Sequence, residues 1–101
     1  MITENEKKDR LCKLLREELF VLRARARVSQ EEIADKIGVS RQTYSAIETG
    51  RRSMSWTTFL ALIAYFQNNE NTKEMLNNHE ELIFELEQYV GSFHAEQDKH
   101  R

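Results

Sequence analysis

Apolar residues recur at three- and four-residue steps along most of this chain. Leu11, Leu15, Leu19, Leu22 and Ala26 fall on one stripe, with Leu14 at its edge. That spacing predicts a helix over about residues 6–26, after a polar start. Phe20 and Val21 lie off the stripe and predict a second buried face on the same helix. Ile33, Ala34 and Ile37 supply the apolar face of a short second helix, and Tyr44 and Ile47 anchor a third. Phe59, Leu60, Ile63 and Phe66 recur at helical spacing and are read as the core side of a fourth, over residues 56–66. A polar break follows at residues 67–71. Residues 72–93 then read as one long amphipathic helix with two overlapping seams. Met75, His79, Leu82, Leu86, Tyr89 and Phe93 form one seam. Leu76, His79, Ile83, Leu86, Val90 and Phe93 form the other. The stripe is wider than packing on one neighbour needs, so one seam is expected on the domain and the other on a partner. Phe84 is left on the opposite side.

The ends of the short helices are marked by small polar residues. Ser29 precedes Gln30-Glu31-Glu32 at capping-box spacing, and Gly38 stands where a left-handed residue closes a helix. Ser40 caps the next helix, over residues 41–48, which stops near Gly50. Ser55 caps the fourth. Two helices of about two turns, joined by a tight turn containing Gly, read as a helix-turn-helix.

Composition supports an all-helical domain: no proline, three glycines and 32% charged residues in 101 positions. That length suits one domain plus an extension. The split is residues 1–70 for the helix-turn-helix domain and 71–101 for a helix that dimerises or binds a partner, with a polar tail. The net charge of −2 does not advertise nucleic acid, but its distribution does. Residues 1–66 carry a net +3 and residues 67–101 a net −5. The local field, not the total, meets phosphate. Cys12 is the single cysteine, so no internal disulfide and no cysteine metal cluster is expected. No apolar run has the length of a membrane span and the start lacks a signal-peptide stretch; the expectation is a cytoplasmic chain without membrane attachment.

The outward arc of the third helix carries the chemistry. Arg bonds guanine O6 and N7 together, Gln bonds adenine N6 and N7 together, Ser adapts to either, and Ala contacts a thymine methyl. Arg41, Gln42, Ser45 and Ala46 are therefore the candidate base readers. Arg41 and Gln42 stand at the helix start, the end of a recognition helix that meets base edges. Gln30 begins a helix, where free N–H groups and the dipole favour a phosphate oxygen. Arg51 and Arg52 follow the reading helix and are natural phosphate clamps; Ser40, Thr43 and Thr49 complete the candidate backbone contacts. Arg23, Arg25 and Arg27 cluster at the end of the first helix, and spacing alone makes Arg23 a phosphate contact too.

No catalytic constellation is visible. His79, His94 and His100 lack metal-ligand spacing. Glu17-Glu18, Glu31-Glu32 and Glu80-Glu81 are adjacent on helices, diverge by about 100° and do not flank one substrate. No enzyme, metal or cofactor is expected.

The segment LRARARVSQEEIADKIGVSRQTYSAIETGRRSMSWTTFLALIAYF resembles the phage Cro and lambda-repressor-like, or Xre-like, helix-turn-helix family over residues 22–66. SQEEIA, the Gly-Val-Ser turn and I-E-x-G-R with a following helix occur together in register. The resemblance implies an all-α, lambda-repressor-like bundle of about five helices, here with an extended C-terminal helix. It implies a homodimer on a palindromic operator in double-stranded DNA. It places Gln30, Arg41, Gln42, Ser45 and Ala46 toward DNA, and pairs Arg23 with Glu48 in a structural salt bridge. Met54 departs from the family, which often has proline there.

The expected function is a sequence-specific transcriptional regulator, repressing by occlusion. Its dimer interface is read from the C-terminal seams: Leu82, Ile83, Leu86, Tyr89, Val90 and Phe93. The alternative is an antitoxin-like chain that binds a second protein through that helix, with Phe84 and Tyr89 exposed, and autoregulates.

Overall fold

A computed structural model describes residues 2–99, with side chains placed for residues 2–91. Among the described residues the chain forms six helices: α1 Glu4–Ala26, α2 Gln30–Ile37, α3 Arg41–Glu48, α4 Trp56–Gln67, α5 Lys73–Asn77 and α6 Glu80–Lys99. α1 starts slightly earlier than its apolar pattern because Thr3 caps it, accepting from the Glu6 N–H. It ends at Arg27, whose left-handed backbone returns its N–H to Ala24 and Arg23 carbonyls.

The predicted stripe of α1 is the spine of the core. Leu11, Leu15, Leu19, Leu22 and Ala26 are all buried, against Ile33, Ala34, Tyr44, Ile47 and Phe59 from α2, α3 and α4. The second face expected on α1 is not buried: Phe20 is 65% and Val21 44% exposed. Among the described residues no helix covers that side; the Arg23 guanidinium lies over the Phe20 ring at 5.8 Å. On α4 the core phase is also shifted. Leu60 is exposed, while Leu62 joins Phe59, Ile63 and Phe66 inside. α4 is apolar nearly all round, so spacing alone does not say which leucine faces the core.

The C-terminal segment differs most from expectation. It is not one helix but two, broken at Asn78 and His79. His79 starts α6 by accepting the Leu82 N–H on Nδ1 at 3.2 Å. Its Nε2 lies 3.3 Å from Glu18 on α1. The turn before α5 is held by buried Thr72, whose hydroxyl donates to the Phe66 carbonyl at 2.8 Å. The break lets α6 fold back along α1, where Arg10 bridges Glu81 and Glu85 at 3.2 Å each.

Part of the predicted interface is therefore core. Leu82 is fully buried and cannot line a partner surface, which corrects its assignment. Leu86 and Tyr89 pack against the core. Tyr89 meets Trp56 edge-on at 5.4 Å and donates to Glu4 at 2.9 Å, so it is not the free aromatic that the partner-binding alternative needs. Ile83 is half-buried, while Phe84 and Val90 are exposed. Phe93 lies outside the residues with described side chains. No helix among the described residues is long and apolar enough to cross a membrane.

Candidate nucleic-acid interface

α2 and α3 are built by their caps. Ser29 accepts the Glu32 N–H at 3.0 Å, and Glu32 accepts the Ser29 N–H at 3.2 Å, completing the capping box. Gly38 closes α2 at φ 79°, a conformation that favours glycine. Ser40 then caps α3 through the Thr43 N–H at 3.0 Å, and its hydroxyl donates to the Thr43 hydroxyl at 2.9 Å.

This frame divides α3 by face. Tyr44 and Ile47 are buried. Arg41 and Gln42 are exposed at the N-terminal end, with Ser45 and Ala46 half-buried on the same arc. A shallow hollow of about 370 Å³ lies between the two helices, lined in part by Arg41, Gln42, Glu31 and Asp35. The two carboxylates beside these candidate readers are not apparent from sequence; on a solvated helix face nothing marks them as neighbours of α3.

Beneath the outward arc of α3, three helices are tied at one carboxylate. Glu48 accepts Arg23 Nε at 2.9 Å and Nη2 at 3.3 Å, Gln30 Nε2 at 2.8 Å and the Tyr44 hydroxyl at 2.9 Å. Arg23 also donates to the Val28 carbonyl at 3.2 Å. The Glu48 side chain is only 6% exposed. Burial pushes its carboxyl up, but the bonds from Arg23, Gln30 and Tyr44 outweigh this and hold it below its ordinary value. The bond from Glu48 raises Arg23, and burial followed by the Glu48 charge raises the Tyr44 hydroxyl. Arg23 is thus committed to the fold, as the family resemblance implies and spacing alone does not.

Gln30 is placed differently from its simple reading. Its side-chain amide is bound to Glu48, so its free donor toward a phosphate is the backbone N–H at the first position of α2. Thr49, expected at the DNA backbone, turns its hydroxyl onto its own helix, donating to the Ser45 carbonyl at 2.8 Å and accepting Arg51 Nε at 3.2 Å. The loop after α3 needs no proline. Gly50 takes φ 81°, and the Arg51 and Arg52 N–H groups close on the Ala46 carbonyl at 2.9 and 3.1 Å. Both arginine side chains stay exposed, and Met54 packs against the core.

Among the described residues no cluster of histidine, cysteine or carboxylate groups has the arrangement of a metal site. Burial pushes the Cys12 thiol up to about 11, so it is held protonated.

No curated protein and no solved structure matches the chain. A family model described as a helix-turn-helix domain matches residues 10–72, which span α1 to the turn before α5. With the two capped helices and the Arg23–Glu48 tie in place, the chain belongs to the helix-turn-helix domain family, of the Xre/Cro-like type.

Proposed function

We propose that this chain is a sequence-specific, double-stranded DNA-binding transcriptional regulator without enzymatic activity, acting in the cytoplasm. The carrying observation is the division of α3: Arg41 and Gln42 exposed at its start, Tyr44 and Ile47 buried behind them. A helix anchored this firmly presents its side chains in a fixed register, which base readout requires. Arg41, Gln42, Ser45 and Ala46 read the major groove. Arg51, Arg52, Thr43, Ser40 and the N–H of Gln30 set register on the phosphates. Thr49 contributes by holding Arg51. The regulator represses, since occlusion of a promoter needs no further surface. It does so as a homodimer on a palindromic operator, joined through Ile83, Val90 and Phe84 of α6.

In vitro selection from a random duplex pool tests the reading face. Arg41→Ala and Gln42→Ala should each relax preference at the base they read, by about 1–3 kcal/mol per bidentate contact. If both variants select the same sites as the parent chain, the reading face is misassigned.

A second reading rests on Phe84, 60% exposed on α6. There α6 docks on a different protein and DNA binding serves autoregulation. Solution mass separates the two: a stable homodimer supports the first, a monomer with Phe84 uncovered the second.

A further inference from the structure

The geometry points to an additional phosphate-binding site, in a cleft between α1 and the loop after α3, that grips the DNA backbone beyond Arg51 and Arg52. It rests on the DNA-binding function proposed for α3. The cleft measures about 410 Å³ and is lined in part by Lys13 and Arg16 of α1 and by Arg52 and Ser53 of the loop. Asp9 is the one carboxylate among the described residues of the lining. Asp9, Lys13 and Arg16 follow at four- and three-residue steps, so they share one face of α1, away from the buried leucine stripe.

Three features distinguish this cleft from an ordinary solvated surface. First, among the described residues its three cations outnumber its one carboxylate and none of them is paired. On the same helix Arg10 is paired with Glu81 and Glu85, and Arg23 with Glu48. Among the described residues, no hydrogen bond or ion pair engages the side chains of Lys13, Arg16 or Arg52. Like charges gathered in a concave surface without partners are disfavoured unless an anion joins them. Second, the loop backbone leaves room for the cation. A Cβ at Gly50 would stand 3.2 Å from Arg16 Nη1, so the missing side chain there lets the guanidinium lie against the loop. Third, the cleft shares Arg52 with the loop that follows α3, four positions after its last residue, Glu48. A duplex clamped by Arg52 would bring its backbone to the cleft that Arg52 shares with Lys13 and Arg16. The ligand is a phosphodiester, and the site reads charge, not sequence.

The test measures duplex binding by the full chain across a salt series, using the selected site and a scrambled duplex. The variants are K13Q/R16Q, K13Q alone, R16K and R52Q. Binding of both duplexes by K13Q/R16Q should weaken by the same factor. The slope of log affinity against log salt should fall by about 0.9 for each phosphate that is no longer neutralised. K13Q, at an exposed position that leaves packing untouched, should show part of this decrease, and R16K should retain the parent slope. If R52Q lowers the slope and K13Q/R16Q does not, the cleft lies off the DNA and the inference is overturned while the loop clamp stands. A weakening confined to the selected duplex also overturns it, because a phosphate contact does not distinguish sequences. A parent chain that binds no duplex overturns it together with the assigned function. Inorganic phosphate added to the DNA-free protein supplies the second arm. If it raises the melting temperature of the parent but not of K13Q/R16Q, and the salt slope is unchanged, the site takes a free phosphorylated ligand instead and the DNA-backbone inference is overturned.

Discussion

Four donated hydrogen bonds converge on the Glu48 carboxylate, and that makes it the most consequential single residue behind the outward face of α3. Glu48→Ala leaves the Arg23 guanidinium, the Gln30 amide and the Tyr44 hydroxyl without their shared acceptor. Breaking a buried pair in this way costs about 3–5 kcal/mol, which a thermal melt reads directly. The pH dependence follows from the direction of its shift. Its carboxyl is held below the ordinary 4.5, so its contribution is complete above that value and is lost as pH falls through the lower folded one. Melting temperature should therefore drop below about pH 4.5 in the parent chain, and less so in Glu48→Gln. An equal acid decline in both proteins would remove Glu48 as its source. At this scale the sequence is only partly legible. Arg23–Glu48 follows from family resemblance, and Tyr44–Glu48 stands at a helical step of four. The Gln30–Glu48 bond spans 18 positions and two helices, and no local pattern announces such a contact.

Between residue and molecule, the caps decide what can be read in advance. Ser29, Gly38, Ser40 and Ser55 each stand at a helix end as expected, because capping is local chemistry. Ser29→Ala should cost about 1 kcal/mol, seen as faster amide exchange across α2, and no change there would mean the capping box is energetically idle. Apolar spacing behaves differently: it says which residues share a face, not which neighbour covers it. It runs through the break at Asn78 and His79 without registering it, since both sides of the break continue one seam. It places Leu82 on a partner surface when the chain's own core already buries it. Leu82→Ala should cost about 2–5 kcal/mol of stability, as a core truncation does. The destabilisation should be independent of protein concentration; a concentration-dependent effect would return Leu82 to an interface.

Across the whole molecule, charge and apolar surface are separated. The net positive segment carries the helix-turn-helix, and the net negative segment supplies α6, which is fastened to α1 through Arg10 and His79. An acidic α6 repels phosphate, and in the proposed reading this leaves it to hold a second copy while α3 meets the duplex. Its exposed apolar residues, Phe84 at 60% and Val90 at 42%, are where that contact should form. Leu86, an obvious probe by spacing, packs on the core, so a charge there would disturb the fold as well as any interface. Phe84→Asp and Val90→Asp separate the two effects because neither side chain is buried in the chain itself. Both variants should keep the parent's helical content at about 25 °C while their solution mass falls to that of a monomer, and any fall in melting temperature should be confined to the stability that dimerisation adds. Two linked half-sites, spaced by about 10 bp or a multiple for a two-fold protein, bind far more tightly than one. Operator affinity should then fall by about a hundredfold or more, as the second half-site ceases to be a tethered event. A parent chain that is monomeric at operator-binding concentrations, or variants that dimerise as well as it does, would remove α6 from the interface and leave Phe84 to a different partner.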